Sequence, residues 1–119
     1  MARVLLAGYD WKFRALLRAQ LIEEGVNVEA HETVSDALAS LEASEFLPRV
    51  FVVDLSSSYD PAGDAEELAK LAGEFPVWII ASHSLIVEET LQGHGFEMIL
   101  FRPVDIGELV GLINRRVEG

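Results

Sequence analysis

The sequence has no cysteine, which excludes disulfide bonds, zinc sites built on thiolates and catalytic cysteines. Basic residues are scarce: 9 Lys and Arg stand against 20 Asp and Glu, for a net charge of −11. Such an acidic chain repels nucleic-acid phosphates and anionic lipids, so we expect neither as a partner. No apolar run approaches the roughly 18 residues of a membrane span, and the run at residues 4–7 is too short for a signal peptide. We therefore expect a cytoplasmic protein.

Strand-sized apolar runs recur along the chain, which is 50% hydrophobic. The predicted strands cover approximately residues 3–7, 26–31, 50–54, 77–81 and 97–101. Most of the runs are continuous rather than alternating, which is typical of strands covered on both faces. The length of 119 residues predicts one domain, spanning residues 1–119.

Segments with helical spacing separate these strands. One face of the first predicted helix carries Phe13, Leu16, Leu17 and Leu21. The last helix, over residues 106–117, has a cleaner amphipathic pattern. The alternation predicts an α/β fold in which five βα units build a doubly wound parallel sheet through right-handed crossovers.

Candidate site residues gather at the carboxyl ends of the predicted strands, where open parallel sheets bind ligands. They are Gly8, Tyr9 and Asp10 after the first strand, Asp54 and the serines Ser56, Ser57 and Ser58 at the end of the third, Ser82 after the fourth and Arg102 after the fifth. Asp54 is the most informative, because it ends an apolar strand where a charge buried without partners is costly. Acids, hydroxyls and an arginine at one edge indicate an anion or phosphoryl site, with a metal ion as an option.

The same residues have structural interpretations that stay open. Asp10 precedes a predicted helix start at Trp11, where aspartate is a favoured N-cap. Asp54 could cap a turn, Ser56 could belong to a polar loop, and Arg102 could pair with a surface carboxylate. The sequence contains no Gly-rich phosphate loop, GxSxG elbow or HExxH motif, so we do not expect an enzyme.

Taken in order, these segments resemble the receiver domain of bacterial two-component response regulators across essentially the whole chain. The resemblance rests on RVLLA at 3–7, VFVVDL at 50–55, PVWII at 76–80 and GFEMILFRPVD at 95–105. It implies a flavodoxin-like sheet with strand order 2-1-3-4-5 and a cis peptide before Pro103. It also implies that a histidine kinase phosphorylates Asp54, with magnesium bridging the site.

The metal site departs from the family pattern. Gly8 and Tyr9 align with two acids that hold magnesium in the family, and only the next residue, Asp10, is acidic. The candidate metal ligands are therefore Asp10, Asp54 and the backbone near Ser56. Because metal charge contributes much to phosphoryl transfer, we expect weak magnesium binding at most and no tightly bound cofactor.

The switch positions depart as well. Ala81 aligns with the family's switch hydroxyl and Ile99 with its switch aromatic. Arg102 replaces the family lysine that contacts the phosphoryl group, and keeps its charge but not its compact shape. Ser82, one position after Ala81, joins Arg102 as a candidate phosphate contact.

We therefore predict an atypical receiver, or pseudo-receiver, that signals through protein contacts largely independent of phosphorylation. One alternative is a competent phosphoacceptor receiver modified on Asp54. Another, ranked below it, is a flavodoxin-like flavin or nucleotide binder. The expected partner is a histidine kinase or a downstream effector, and a weak homodimer is left open. The predicted interaction face carries Glu88, Glu89, Glu97 and Glu108.

Overall fold

The structure, a computed structural model, describes residues 3–83, 89 and 91–119. Its strands are β1 (Val4–Gly8), β2 (Val28–His31), β3 (Val50–Asp54), β4 (Val77–Ala81) and β5 (Met98–Phe101). Its described helices are α1 (Trp11–Glu23), α2 (Val34–Ala43), α3 (Pro61–Ala69) and the C-terminal α4 (Ile106–Glu118). The helix predicted between β4 and β5 falls on residues 85–93, most of which lie outside the described residues.

The five strands form one parallel sheet in the order β2-β1-β3-β4-β5, which confirms the predicted fold. Every residue of β1, β3 and β4 is buried, because helices cover both faces of the sheet. One face packs residues such as Phe51 and Val53 with the buried side chains of α2 and α3. The other packs Val52 and Trp78 with those of α1 and α4. The continuous apolar runs of the sequence are explained by this two-sided burial.

Helix α1 differs from its prediction at one position. Leu17 and Leu21 are fully buried against the sheet, and Phe13 is half-buried. Leu16, which was expected on the same face, is 50% exposed, because it lies about 100° around the helix from Leu17. No helix among the described residues has the length and apolarity to cross a membrane.

The sheet register brings the candidate site residues to one edge. Gly8 pairs with Asp54 across β1 and β3, and Ala81 pairs with Phe101 across β4 and β5. The residues that follow these pairs therefore surround the carboxyl end of β3. This arrangement is the one expected for parallel strands with the same polarity.

Candidate functional site

Asp54 stands at the centre of this edge. It is 1% exposed and is the one charged side chain that is fully buried in the described part of the chain. Its Oδ1 accepts a hydrogen bond from the backbone N–H of Ser56 at 3.0 Å. Its Oδ2 lies 2.6 Å from Nη2 of Arg102, in an ion pair with a partly buried guanidinium. Both carboxylate oxygens thus have partners, which a buried charge requires.

Arg102 makes a second ion pair at the same place. Its Nη1 lies 3.1 Å from Oδ2 of Asp10, so one guanidinium joins the two acids at this edge. Its Cζ lies 4.4 Å from the centroid of the Phe13 ring, within cation–π range. The Arg102 backbone N–H donates to the carbonyl of Ala81 at 2.9 Å, and the Arg102–Pro103 peptide is cis, as the resemblance implied.

Asp10 combines the two roles that the sequence left open. Its Oδ1 caps α1 by accepting hydrogen bonds from the backbone N–H groups of Lys12 and Phe13, at 3.1 and 3.3 Å. Its Oδ2 faces Arg102. The hydrogen bond from Phe13, followed by the contact with Arg102, holds the pKa of Asp10 below its usual value. Asp10 is therefore a charged N-cap that also belongs to the Asp54 site.

Tyr9 turns away from Asp54. It packs against the core on the α2 and α3 side of the sheet, and its hydroxyl donates to Oδ2 of Asp64 at 2.6 Å. Ser58 donates to the same oxygen at 2.7 Å. Burial and the Asp64 carboxylate raise the pKa of Tyr9. The position that the resemblance assigns to a metal-binding acid thus has a structural role here.

Gly8 approaches Asp54 closely. A Cβ atom built on Gly8 would lie 3.3 Å from Cβ of Asp54, a contact that forces a small shift. The carbonyl of Gly8 accepts a hydrogen bond from Nη1 of Arg14 at 2.5 Å. A side chain at position 8 would therefore press on the Cβ atom of Asp54.

The residues present do not fit a magnesium ion. Magnesium takes oxygen ligands in near-octahedral geometry, usually from one or two carboxylates and water. Both Asp54 and Asp10 are already paired with Arg102. The described residues include no group of three or more His, Asp or Glu suited to a metal. Ser56 supplies its backbone N–H to Asp54, and its hydroxyl is buried without a hydrogen-bond partner.

Comparison with known proteins identifies the fold. No family model matches the sequence, and no curated protein is significantly similar to it. A response regulator receiver domain protein (CheY-like) from Methanospirillum hungatei JF-1 has a TM-score of 0.79 at 19% identity, covering 99% of this chain and 94% of its own. For the receiver domain of Francisella response regulator 1452, the TM-score is 0.79 at 22% identity, with 99% and 98% covered. For the receiver domain of NtrX from Brucella abortus, it is 0.77 at 22% identity, with 97% and 98% covered.

The chain has the fold of response-regulator receiver domains. Within that fold, Ala81 is buried at the end of β4 and carries no hydroxyl. Ile99 is half-buried in β5 and packs against the core on the α2 and α3 side. Ser82 is exposed just beyond β4, and its contact with a phosphate stays a prediction.

The residues of the predicted interaction face have different surroundings. Glu97 accepts hydrogen bonds from Nε1 of Trp78 at 2.7 Å and from Arg116 at 2.9 and 3.1 Å. Glu89 and Glu108 are exposed, whereas Glu88 lies outside the described residues. A cavity of about 140 Å³ opens beside Glu108, lined mainly by Leu100, Phe101, Pro103, Val104, Leu109 and Leu112.

Three further residues shape the site in ways that the sequence did not reveal. Their roles in the site were not predicted: Phe13 places its ring against the Arg102 guanidinium, Asp64 accepts hydrogen bonds from Tyr9 and Ser58, and Ser58, a candidate by its position after the third strand, bonds to Asp64. A half-buried aromatic residue one turn into a helix gives no sign of a distant arginine. Ser58 lies in the serine run after Asp54, for which a polar loop was the alternative interpretation, and nothing in the sequence connects Ser58 with Asp64.

Proposed function

We propose that the chain is a receiver domain of two-component signalling that works through protein contacts, largely independently of phosphorylation. The observation that carries the proposal is the end of β1. There Gly8 lies against Asp54 with no side chain, and Tyr9 is bonded to Asp64. The two positions that would supply metal-binding acids therefore supply none, while the receiver fold and Asp54 itself are retained.

The switch positions support the same proposal. A modification shifts a conformational equilibrium only if it interacts differently with the two states. At the position that aligns with the family's switch hydroxyl, Ala81 has a methyl group, which cannot form a hydrogen bond with a phosphorylated Asp54. At the position that aligns with the family's switch aromatic residue, Ile99 has an aliphatic side chain. The chain therefore lacks the two switch side chains by which phosphorylation would change the conformation of the domain and the surface that it presents to a partner.

The proposed output is contact with a protein partner, either a kinase or a downstream effector. The side of the domain formed by β5 and α4 offers the exposed carboxylate of Glu108 beside an apolar cavity. A partner with a basic rim and an apolar centre would complement it. We expect Glu89→Lys and Glu108→Lys each to weaken partner binding. Glu42→Lys, which makes the same charge change at an exposed position on α2, serves as the matched control.

A competent phosphoacceptor is the second candidate. It is favoured by the position of Arg102, whose Nη2 lies 2.6 Å from Asp54, because a cation there would neutralise part of the charge of a phosphoryl group. The flavin interpretation is tested by an absorbance spectrum of the purified protein, which would show a retained flavin.

Two measurements separate the candidates. The purified chain is incubated with magnesium and acetyl phosphate, and its intact mass is measured with Asp54→Asn as the control. We expect no added mass in either protein. The same Asp54→Asn change is then tested for partner binding and for function in cells, where we expect both to persist. A phosphoryl group on the wild-type chain that is absent from Asp54→Asn, together with loss of function in that variant, would establish the phosphoacceptor instead.

A further inference from the structure

Arg102 bridges two acids that lie at the carboxyl ends of different strands. Its Nη2 pairs with Asp54 at the end of β3 at 2.6 Å, and its Nη1 pairs with Asp10 after β1 at 3.1 Å. An arginine often gives both nitrogens to one carboxylate, but here each nitrogen takes a different one. The guanidinium therefore joins the same two carboxylates that are the acidic members of the candidate metal set.

The cation is held in place on more than one side. The Phe13 ring lies against it, with Cζ 4.4 Å from the ring centroid. Its backbone is anchored to β4 by the hydrogen bond from the Arg102 N–H to the Ala81 carbonyl at 2.9 Å. The side chain is 29% exposed, so most of it is shielded from water. A guanidinium remains charged at every accessible pH, so its charge is permanent.

We propose that Arg102 is the resident cation of this site and that it keeps divalent metal ions away from Asp10 and Asp54. The inference deepens the proposed function, because it gives the reason why Asp54 stays inert even though the receiver fold presents it. A divalent ion bound to both carboxylates would have to lie next to the guanidinium, where like charges repel at short range. Metal binding therefore requires Arg102 to leave.

The experiment removes that charge. Arg102→Gln keeps a side chain of moderate length but leaves Asp10 and Asp54 without a shared cation. Two carboxylates close together are ligands that hard divalent cations accept. We expect Arg102→Gln to bind Mg²⁺ and Mn²⁺ at least tenfold more tightly than the wild type, which should show no saturable binding up to about 10 mM. Binding is measured by isothermal titration calorimetry, with the fluorescence of Trp11, next to Asp10, as a second signal.

A matched control separates this site from general charge effects. Arg116→Gln removes the same positive charge and also breaks an arginine–carboxylate pair, the one with Glu97. We expect it to bind Mg²⁺ no better than the wild type. Adding Asp54→Asn to Arg102→Gln should abolish the gained binding, because one of the two ligands is lost.

A variant that leaves Asp54 buried without its cation can be unstable. Arg102→Gln is therefore also melted with and without Mg²⁺, and we expect the metal to raise its melting temperature but not that of the wild type. If Arg102→Gln does not fold, Arg102→Met, which fills similar space and also carries no charge, is tested in its place. We expect Arg102→Met to bind Mg²⁺ at least tenfold more tightly than the wild type.

Two results overturn the inference: a wild-type chain that binds Mg²⁺ as tightly as the variants, or folded variants as insensitive to Mg²⁺ as the wild type. Neither result depends on whether the wild type is phosphorylated. The failure of this inference is thus distinguishable from the failure of the proposed function, which the mass measurement and Asp54→Asn decide.

Discussion

The hydroxyl of Tyr9 donates a hydrogen bond to Oδ2 of Asp64 over 2.6 Å, joining the end of β1 to the first turns of α3. Ser58, in the loop that follows Asp54, donates to the same oxygen at 2.7 Å. The tyrosine oxygen also lies 3.4 Å from the backbone N–H of Val34, at the start of α2. One phenol thus connects three segments around the sheet edge, which gives position 9 a structural role in place of metal binding.

Removing this hydroxyl tests its contribution to stability. We expect Tyr9→Phe to lower the free energy of unfolding by about 1 kcal/mol, because Asp64 and Tyr9 lose a mutual hydrogen bond while Ser58 remains bound. Urea denaturation measures the change. Tyr59→Phe is the matched control, since Tyr59 is 99% exposed and its hydroxyl should contribute nothing. Equal stability of the two variants would show that the Tyr9 bond does not stabilise the fold.

Alkaline pH tests the same group in another way. Burial and Asp64 raise the pKa of Tyr9 in the folded state above its usual 10.0. The folded chain therefore holds the Tyr9 proton more tightly than the unfolded chain does. This contribution to stability is fully present below pH 10.0 and is lost as the pH rises through the raised pKa. As the pH rises from 10.0 through the raised pKa, we expect the free energy of unfolding to fall more steeply in the wild type than in Tyr9→Phe. Parallel curves would contradict this.

The fold could be predicted because its main signals are local. Strands β1, β3 and β4 are buried on both faces, so each is a continuous apolar run that stands out in the sequence. The start of β2 was wrong by two residues, since Val28 and not Val26 begins the strand. The backbone N–H of Val26 donates to the carbonyl of Leu21 and so belongs to the end of α1. Because Val26 is apolar, as a strand residue would be, the sequence does not show that it lies outside the strand.

The site could be predicted only in its individual residues. Asp54 was conspicuous as an acid ending an apolar strand, and Asp10 as a residue that could be a cap or a ligand. Arg102 was expected at the same edge, because it follows the fifth strand and because the resemblance implied a cis peptide before Pro103. That its guanidinium pairs with Asp54 and Asp10 at once was not predictable, since Arg102 and Asp54 are 48 positions apart and their contact depends on the sheet bringing strand ends together. Tyr9 and Asp64, 55 positions apart, meet for the same reason.

The Asp10 ion pair can be measured apart from its cap. Asp10→Asn keeps a favourable N-cap for α1 and removes the charge that faces Arg102. We expect a loss of about 0.5–1 kcal/mol in the free energy of unfolding, because the pair is partly exposed. The loss should shrink as salt is raised, since ions screen such pairs. Asp105→Asn, at the N-cap of α4, is the matched control, and an equal loss there would assign the effect to the helix dipole rather than to Arg102.

Glu97 joins β5 to α4 through Arg116 and to β4 through the buried Trp78. The hydrogen bonds from Arg116, then that from Trp78, hold the pKa of Glu97 below its usual 4.5. Its contribution to stability is therefore present above pH 4.5 and is lost as the pH falls through the lowered pKa. We expect Glu97→Gln to lower the free energy of unfolding by about 1 kcal/mol at pH 7, because charge-assisted bonds become neutral ones and the pair is partly exposed.

The prediction for Glu97→Gln is checked further at low pH and with a matched control variant. As the pH falls through the lowered pKa of Glu97, its carboxylate becomes protonated, and the difference between wild type and Glu97→Gln should disappear. Glu66→Gln removes one exposed carboxylate from α3 and should change stability little at either pH. If Glu97→Gln matched Glu66→Gln at pH 7, Glu97 would be free to serve a partner. If it differed as expected, Glu97 is committed to holding α4 on the sheet, and partner recognition on this face must depend on Glu108 and its exposed neighbours.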